Sequence, residues 1–356
     1  MKVKIKVSEI QGAIKQCANA IDPKDMIRSN IMIEAEEGAV RIKATNGQYS
    51  LERTIYCDVQ EEGIATVDGK MAYGVIAKAS GECTIIADLE NMIIKTNGRT
   101  KLPNLHRDIP LIETATGSQT VFSAIEFKKA IQTIDYAIGE DQSRLILTGA
   151  HIVSDGNVTT ITALDGFRLA QTQISCEGDR LDVVIPSKIL AAVCDAIVDG
   201  NLCLSTNGNH VSFSGDGFLV NSLALSGTYI DTTRIIPTEF KTNALVKTSD
   251  IKDCANTATL ASGTSNLVKI ELSKDKLTVK SNSDEADFQA EIEAMYDGDD
   301  VIIGFNLKYL IQMLSHIETE QCEFRLNSPI APAVIVPHAD NVNELHLILP
   351  VRLSRE

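Results

Sequence analysis

Residues able to carry chemistry are sparse in this chain, and their spacing argues against a catalytic centre. The six histidines (His106, His151, His210, His316, His338 and His346) show no H-E-x-x-H or similar ligand spacing, and no P-loop or G-x-S-x-G turn occurs. The acidic run Asp297-Gly298-Asp299-Asp300 lacks the glycine placement and distal glutamate of a calcium loop, and the acids around Glu140 read as loop solvation. Eight cysteines (17, 57, 83, 176, 194, 203, 254 and 322) stand without a C-x-x-C pair, so they read as free thiols of a reducing compartment. No metal or cofactor is expected. Two features remain to be explained: lysines that recur at fixed places, and the stretch "TALDGFRLA" (162–170), which joins an Asp-Gly turn to Phe167, Arg168 and Leu169.

The elements that position these residues follow from length and pattern. A chain of 356 residues is too long for one ordinary core and fits two or three domains. With 44% hydrophobic residues, 23% charged and only 4% aromatic, the composition is that of a globular protein with aliphatic cores. No apolar run approaches the roughly 20 residues that span a bilayer, and "MKVKIKVSEI" lacks a signal-peptide core, so a cytoplasmic protein without membrane association is expected. The formal charge of −15 argues against simple adhesion to nucleic acid, which depends on Lys and Arg neutralising phosphates, but leaves room for a local basic surface.

Self-similarity organises the chain. "VDGKMAYGVIAKA", "IPSKILAAVCDAI" and "FNLKYLIQMLSHI" align on Lys70, Lys188 and Lys308, each with an apolar residue three positions earlier. An earlier helix repeats as "SEIQGAIKQCANAI", "AIEFKKAIQTIDYAI" and "SDIKDCANTATLA", aligned on Ile10, Phe127 and Ile251, with one apolar stripe. Between the helices, alternating strands align on Ile42, Ile161 and Val279. Three equivalent α+β domains are expected, each with two helices packed on antiparallel sheets, over 1–118, 119–242 and 243–356.

Lys15, Lys128 and Lys252 leave the apolar stripe of the first helices, and the second helices add Lys70, Lys78, Lys188 and Lys308. Every predicted helix therefore carries a lysine in a chain with 48 acidic and 33 basic residues. A solvated helix face accounts for this, and so does a common basic face presented to phosphate.

At the scale of the whole chain, "LTGAHIVSDGNVTTITALDGFRLA", "GTYIDTTRIIP", "FNLKYLIQML" with "LNSPIAPAVIVP", and the terminal "LILPVRL" occur in an order and spacing that resemble the bacterial DNA polymerase III beta subunit family, the sliding clamps. The resemblance implies clamp-type domains, a head-to-tail homodimer of six domains forming a ring around double-stranded DNA, and no enzymatic activity of its own. It implies tethering of the DNA polymerase III alpha subunit, the clamp loader, other polymerases and repair proteins through short linear motifs. The interface is implied to include Leu102 in "GRTKLPN" on one side and Leu260 in "TATLAS" on the other.

The repeat supplies an internal control on the opening stretch. Its turn recurs as "ATNGQ" and "SNSDE", so Asp165 and Gly166 are explained by a hairpin. "FRLAQ" does not recur. By resemblance this segment belongs to a peptide pocket between the second and third domains, built from Leu147, Leu164, Gly166, Phe167, Arg168 and Leu169, with Ile230, Arg234 and Ile235, and with Leu349, Pro350, Val351, Arg352 and Leu353. Aliphatic side chains would bury a ligand's Leu or Phe, while Arg168, Arg234 and Arg352 would frame the rim. Phe167 stands where the family commonly has His, Leu164 where Thr is usual, and Ile230 with "DTT" replaces a common Pro-Asp-Tyr, so a more apolar pocket is expected. Ser354, Arg355 and Glu356 extend past the usual Arg-Leu end and are expected to shift the terminal carboxylate or lean over the groove. For DNA contact the resemblance adds Lys24 and Arg28 in "DPKDMIRSN" and Gln142 and Arg144 in "EDQSR". An enzyme and a scaffold that binds proteins without DNA are the competing classes.

Overall fold

The computed structural model describes residues 1–273, 275–340 and 342–353. The elements recur in three copies with their landmark residues in identical places. The first helices are α1 (Val7–Asn19), α3 (Ala124–Ile134) and α5 (Thr248–Ala258), and Ile10, Phe127 and Ile251 are each the fourth residue and fully buried. The second helices are α2 (Gly69–Ile76), α4 (Ser187–Ala196) and α6 (Leu307–Ser315), in which Lys70, Lys188 and Lys308 are each the second residue. The strands Ala39–Thr45, Val158–Leu164 and Lys276–Asn282 each place the landmark at the fourth position, where Ile42, Ile161 and Val279 are buried. Even the turns agree. The N–H of Asn46, Asp165 and Ser283 donates to the carbonyl three residues on, at Tyr49 (3.3 Å), Arg168 (3.2 Å) and Ala286 (2.9 Å).

Helix starts follow ordinary capping chemistry. Ser123 Oγ accepts from the Glu126 N–H at 3.4 Å, as the S-x-x-E spacing predicts. Asp68 accepts from Met71 N–H at 2.7 Å, and Asn306 Oδ1 accepts from Lys308 N–H (3.0 Å) and Tyr309 N–H (3.4 Å).

The chain condenses into two compact units. The first comprises Met1–Lys128, Asp155–Asn157 and Cys176–Ala224. It contains a five-stranded antiparallel sheet, with Arg99–Pro103 at one edge, and a nine-stranded antiparallel sheet in which Phe218–Leu223 pairs with Tyr49–Tyr56. Its core joins the stripe Ile10, Ile14 and Cys17 to Ile31, Ile33 and Ile42, and a second cluster stacks Phe122, Phe127 and Phe213 with ring centroids 5.3 and 5.7 Å apart. The second unit comprises Lys129–Ser154, Val158–Ser175 and Leu225–Glu356. Here Arg168–Ser175 pairs with Glu344–Ile348 in register from Arg168 with Ile348 to Thr172 with Glu344, and the antiparallel sheet runs on to Val301–Asn306 at its edge. Helices α5 and α6 cover a core that includes Ile251, Phe305, Leu310, Leu314 and Phe324. Among the described residues no helix is long and apolar enough to cross a membrane.

The cap at α6 offers a direct check of local energetics. Asn306→Ala removes the acceptor for two N–H groups and is expected to lower the stability of the second unit by about 1 kcal/mol. Urea denaturation followed by circular dichroism measures this, and an unchanged midpoint would contradict the cap.

Candidate functional site

The geometry of the second unit centres on Arg168. Asp165 Oδ1 accepts from the N–H groups of Phe167 (2.8 Å) and Arg168 (3.0 Å), which closes the turn and sends the Phe167 ring outward, 52% exposed. Gly166 in this turn has φ +96°, and a Cβ there would stand 2.9 Å from Arg144 Nη1. The Arg168 side chain turns the other way. Its Nε donates to Asp165 Oδ2 at 2.9 Å, its Nη1 donates to Gln312 Oε1 at 2.5 Å, and its guanidinium lies 4.6 Å from the Tyr309 ring centroid and 5.2 Å from that of Tyr136. Only 10% of this side chain is exposed.

A cleft of about 560 Å³ opens beside this cage, lined by Leu147, Phe167, Arg168, Tyr309, Lys308 and Arg144 among others, with Asp135, Glu140 and Asp141 as its acidic wall. The Phe167 and Tyr309 rings lie 5.9 Å apart, tilted by 30°. The C-terminal segment reaches the same place, because the Leu349 N–H donates to the Phe167 carbonyl at 2.8 Å. Leu349, Val351 and Ile230 are exposed apolar residues of the same unit, whereas Leu147, Leu164 and Leu169 are buried beneath. Arg234 is 86% exposed and paired with its own Asp231 at 3.0 Å; Ile235 and Pro350 are half-buried, Leu353 is half-buried and Arg352 exposed. The tail residues Ser354, Arg355 and Glu356 lie outside the described residues.

One expectation needs correction. Arg168 is not a rim residue: its charge is spent on Asp165, Gln312 and two rings, so it holds the turn to α6. Arg144 and Lys308, offered by the sequence for DNA contact, also line this cleft. Lys252, also offered for DNA contact, has its Nζ donating to the Ile317 carbonyl at 2.7 Å, just past the end of α6. Leu102 is also buried within its own unit, 2% exposed, whereas Leu260 is 81% exposed. Tyr309, Tyr136 and Gln312 were missed. Tyr309 stands where the equivalent helices have Met71 and Ile189, so the comparison between repeats that singled out Arg168 also marks Tyr309.

In the first unit, Lys15 and Lys188 stand over one hollow of about 490 Å³ with Gln16, Asn19, Gln48 and Asp195. Gln16 Nε2 donates to the Asp195 carbonyl at 2.7 Å, which ties α1 to α4. Lys15, Lys24, Lys70, Lys78 and Lys188 are exposed, and Lys128 is half-buried. The loop carrying Lys24 is held by Asp25 Oδ1, which accepts from Ile27 and Arg28 N–H at 2.8 Å each and whose carboxyl is thereby kept below the usual range. Arg28 lies over the turn at Gly47, and Gln142 is exposed on the loop after α3. Lys70, Lys188 and Lys308 sit at the second residue of their helices, where the helix dipole disfavours a cation by about 0.3–1 kcal/mol. Helix stability therefore does not explain why all three copies keep them.

Comparison with known proteins agrees with this fold. Residues 122–231 match the family model of the DNA polymerase III beta subunit central domain, and residues 233–352 match that of its C-terminal domain. The chain is 24% identical over 383 residues to the beta sliding clamp of Streptomyces coelicolor, covering 99% of this chain and all of that one. Among solved structures it resembles the DNA polymerase beta subunit of Streptococcus pyogenes (TM-score 0.93, 24% identity) and the sliding clamp of Pseudomonas aeruginosa bound to griselimycin (TM-score 0.94, 21% identity). Each likeness covers 99% of this chain and 100% of that chain.

Two histidines beneath the cage make its stability depend on pH. His346 is fully buried, with Nδ1 2.9 Å from the Tyr136 hydroxyl, and burial, followed by the charge of His316, pushes its pKa down to about 3. His316 is shifted upward, chiefly by its bond to Asp135 at 3.2 Å. A depressed histidine contributes stability that is complete above its unfolded value near 6.5 and is lost as pH falls toward the folded value. At pH 5 this removes about 2 kcal/mol. His316 acts in the opposite sense, contributing below its unfolded value and losing that contribution as pH rises through the raised one, but it is partly exposed and its effect is smaller. The second unit is therefore expected to weaken between pH 7 and pH 5, and His346→Gln should remove most of that dependence. Urea melts at the two pH values decide, and an equal loss in wild type and variant would refute the assignment to His346.

Proposed function

The chain belongs to the DNA polymerase III beta subunit family, the sliding clamps, and we propose that it is a processivity factor: a non-catalytic ring that encircles duplex DNA and tethers the replicative polymerase to it. Three clamp domains, 1–118, 119–242 and 243–356, occur in each chain, and two chains close head to tail in the cytoplasm. The observation that carries this reading is the lysine at the second position of α2, α4 and α6, retained against the helix dipole in a chain of net charge −15. A few lysines inside an acidic body suit a protein that must slide, because tight phosphate contacts would arrest it. Lys15, Lys70, Lys188 and Lys308, with Lys24 from its loop, are the proposed DNA contacts.

Ring closure requires a heterologous interface that closes after two subunits. The edge strand Arg99–Pro103 offers unpaired backbone and exposed Arg99 and Lys101, while Leu260 and the acidic strand Asp287–Gly298 offer an apolar anchor and opposite charge. Partner proteins dock beside Phe167 through short motifs whose Leu or Phe enters the apolar surface of Ile230, Leu349 and Val351. The clamp loader, the polymerase alpha subunit, other polymerases and repair proteins are the proposed partners.

The decisive experiment loads the protein on nicked circular DNA and then linearises it. Retention on circles and loss from linear DNA is expected, and equal retention on both would exclude topological binding. Lys15→Glu with Lys188→Glu is expected to reduce loading at least several-fold, with the dimer seen by light scattering unchanged. A strict monomer at micromolar concentration would refute the ring.

A further inference from the structure

The C-terminal segment is attached at two points, and the second depends on a missing side chain. Val351 N–H donates to the Gly304 carbonyl at 2.8 Å, forming an isolated antiparallel bridge on the edge strand Val301–Asn306. Ile302, Gly304 and Asn306 share the outer face of this strand. Ile302 on that face is exposed, yet Gly304 is buried, because the terminal segment lies on it. A Cβ at residue 304 would stand 2.7 Å from Leu353 Cδ2 and 3.0 Å from the Val351 carbonyl oxygen. The same strand leads directly into α6, which carries Tyr309 and Gln312 to the cage around Arg168.

We propose that Gly304 is the positioning residue for the C-terminal wall of the docking cleft: by lacking a side chain it seats residues 351–353 on the sheet edge, and this seat presents Leu349 and Val351 beside Phe167. The inference rests on the docking reading above for its consequence, although the seat itself can be tested without it. Val at 304 suits an edge strand, since β-branched residues favour extended backbone, so the substitution displaces the tail and leaves the strand formed.

The test uses the full chain carrying Gly304→Val. Hydrogen exchange is read at the Val351 amide, with the strand amide of Ile303 as internal reference, and affinity is read with a fluorescein-labelled peptide containing a Leu-Phe pair. The Val351 amide is expected to exchange at least tenfold faster than in wild type, the Ile303 amide to be unchanged, and the peptide to bind at least tenfold more weakly. Gly304→Ala should show a milder form of both effects, and adding Leu353→Ala to it should restore part of the Val351 protection by clearing the 2.7 Å contact while the 3.0 Å backbone contact remains. Unchanged Val351 protection would overturn the seat. Lost protection with unchanged affinity would overturn the claim that the seat positions a docking wall. A wild-type chain that fails to bind the peptide, with Val351 protection still lost in the variant, would refute the docking reading and leave the seat supported.

Discussion

A guanidinium removed from water must be compensated on every side, and in the second unit that requirement determines the rest of the site. Arg168 meets it with a carboxylate, an amide oxygen and two aromatic faces drawn from the turn at 165, the end of α3 and the middle of α6. Removing Asp165 would leave the guanidinium buried and unpaired, a larger penalty than losing a surface ion pair. The three segments therefore cannot shift independently. Because Asp165 is engaged by its own turn and by Arg168, the Phe167 ring has one way to go, outward, and the Phe167 carbonyl is left to receive Leu349. The proposed docking surface, made of side chains far apart in sequence, is thus held by one satisfied cation.

The cage also explains why the two histidines below it behave oppositely. Tyr136 touches Arg168, whose guanidinium is 5.2 Å from its ring centroid, and both histidines, with centroid distances of 4.7 Å to His316 and 5.8 Å to His346. A cation already sits on this aromatic stack, so a second charge inside it at His346 is disfavoured by burial and by His316. His316 can carry charge because Asp135 stands at the surface beside it.

Much of the fold was legible because each copy of the repeat tests the others. Helix positions, strand landmarks and turn bonds coincide across the three copies, since burial of one stripe on one sheet imposes the same periodicity each time. The site was legible only where a copy departs from the others: Phe167, Arg168 and Leu169 stand out in this way, and Tyr309 does so against Met71 and Ile189. What the pattern hid was direction. Arg168 has the composition of a rim residue, but the aromatic partners that draw it inward lie more than 30 residues before it and more than 140 after it. Lys252 leaves its apolar stripe as periodicity requires, and its long stem then reaches the open carbonyl of Ile317 instead of water. Leu102 shows the complementary limit, because the inner face of an edge strand reads the same whether its own core or a partner covers it.

Sheet edges link these observations to assembly. An unpaired edge is a site of uncontrolled association unless it is covered, charged or shortened. At Val301–Asn306 the chain covers its own edge with Val351, seated beside Gly304. At Arg99–Pro103 it leaves the edge open but sets Arg99 and Lys101 on it, so that strands without complementary acid are repelled. The two edges are treated differently because different ligands are proposed for them. The first receives the chain's own terminus, and the proposed peptide docks beside it through a few apolar contacts. In the proposed ring the second edge faces a neighbouring subunit, for which charge complementarity sets specificity and backbone pairing supplies strength.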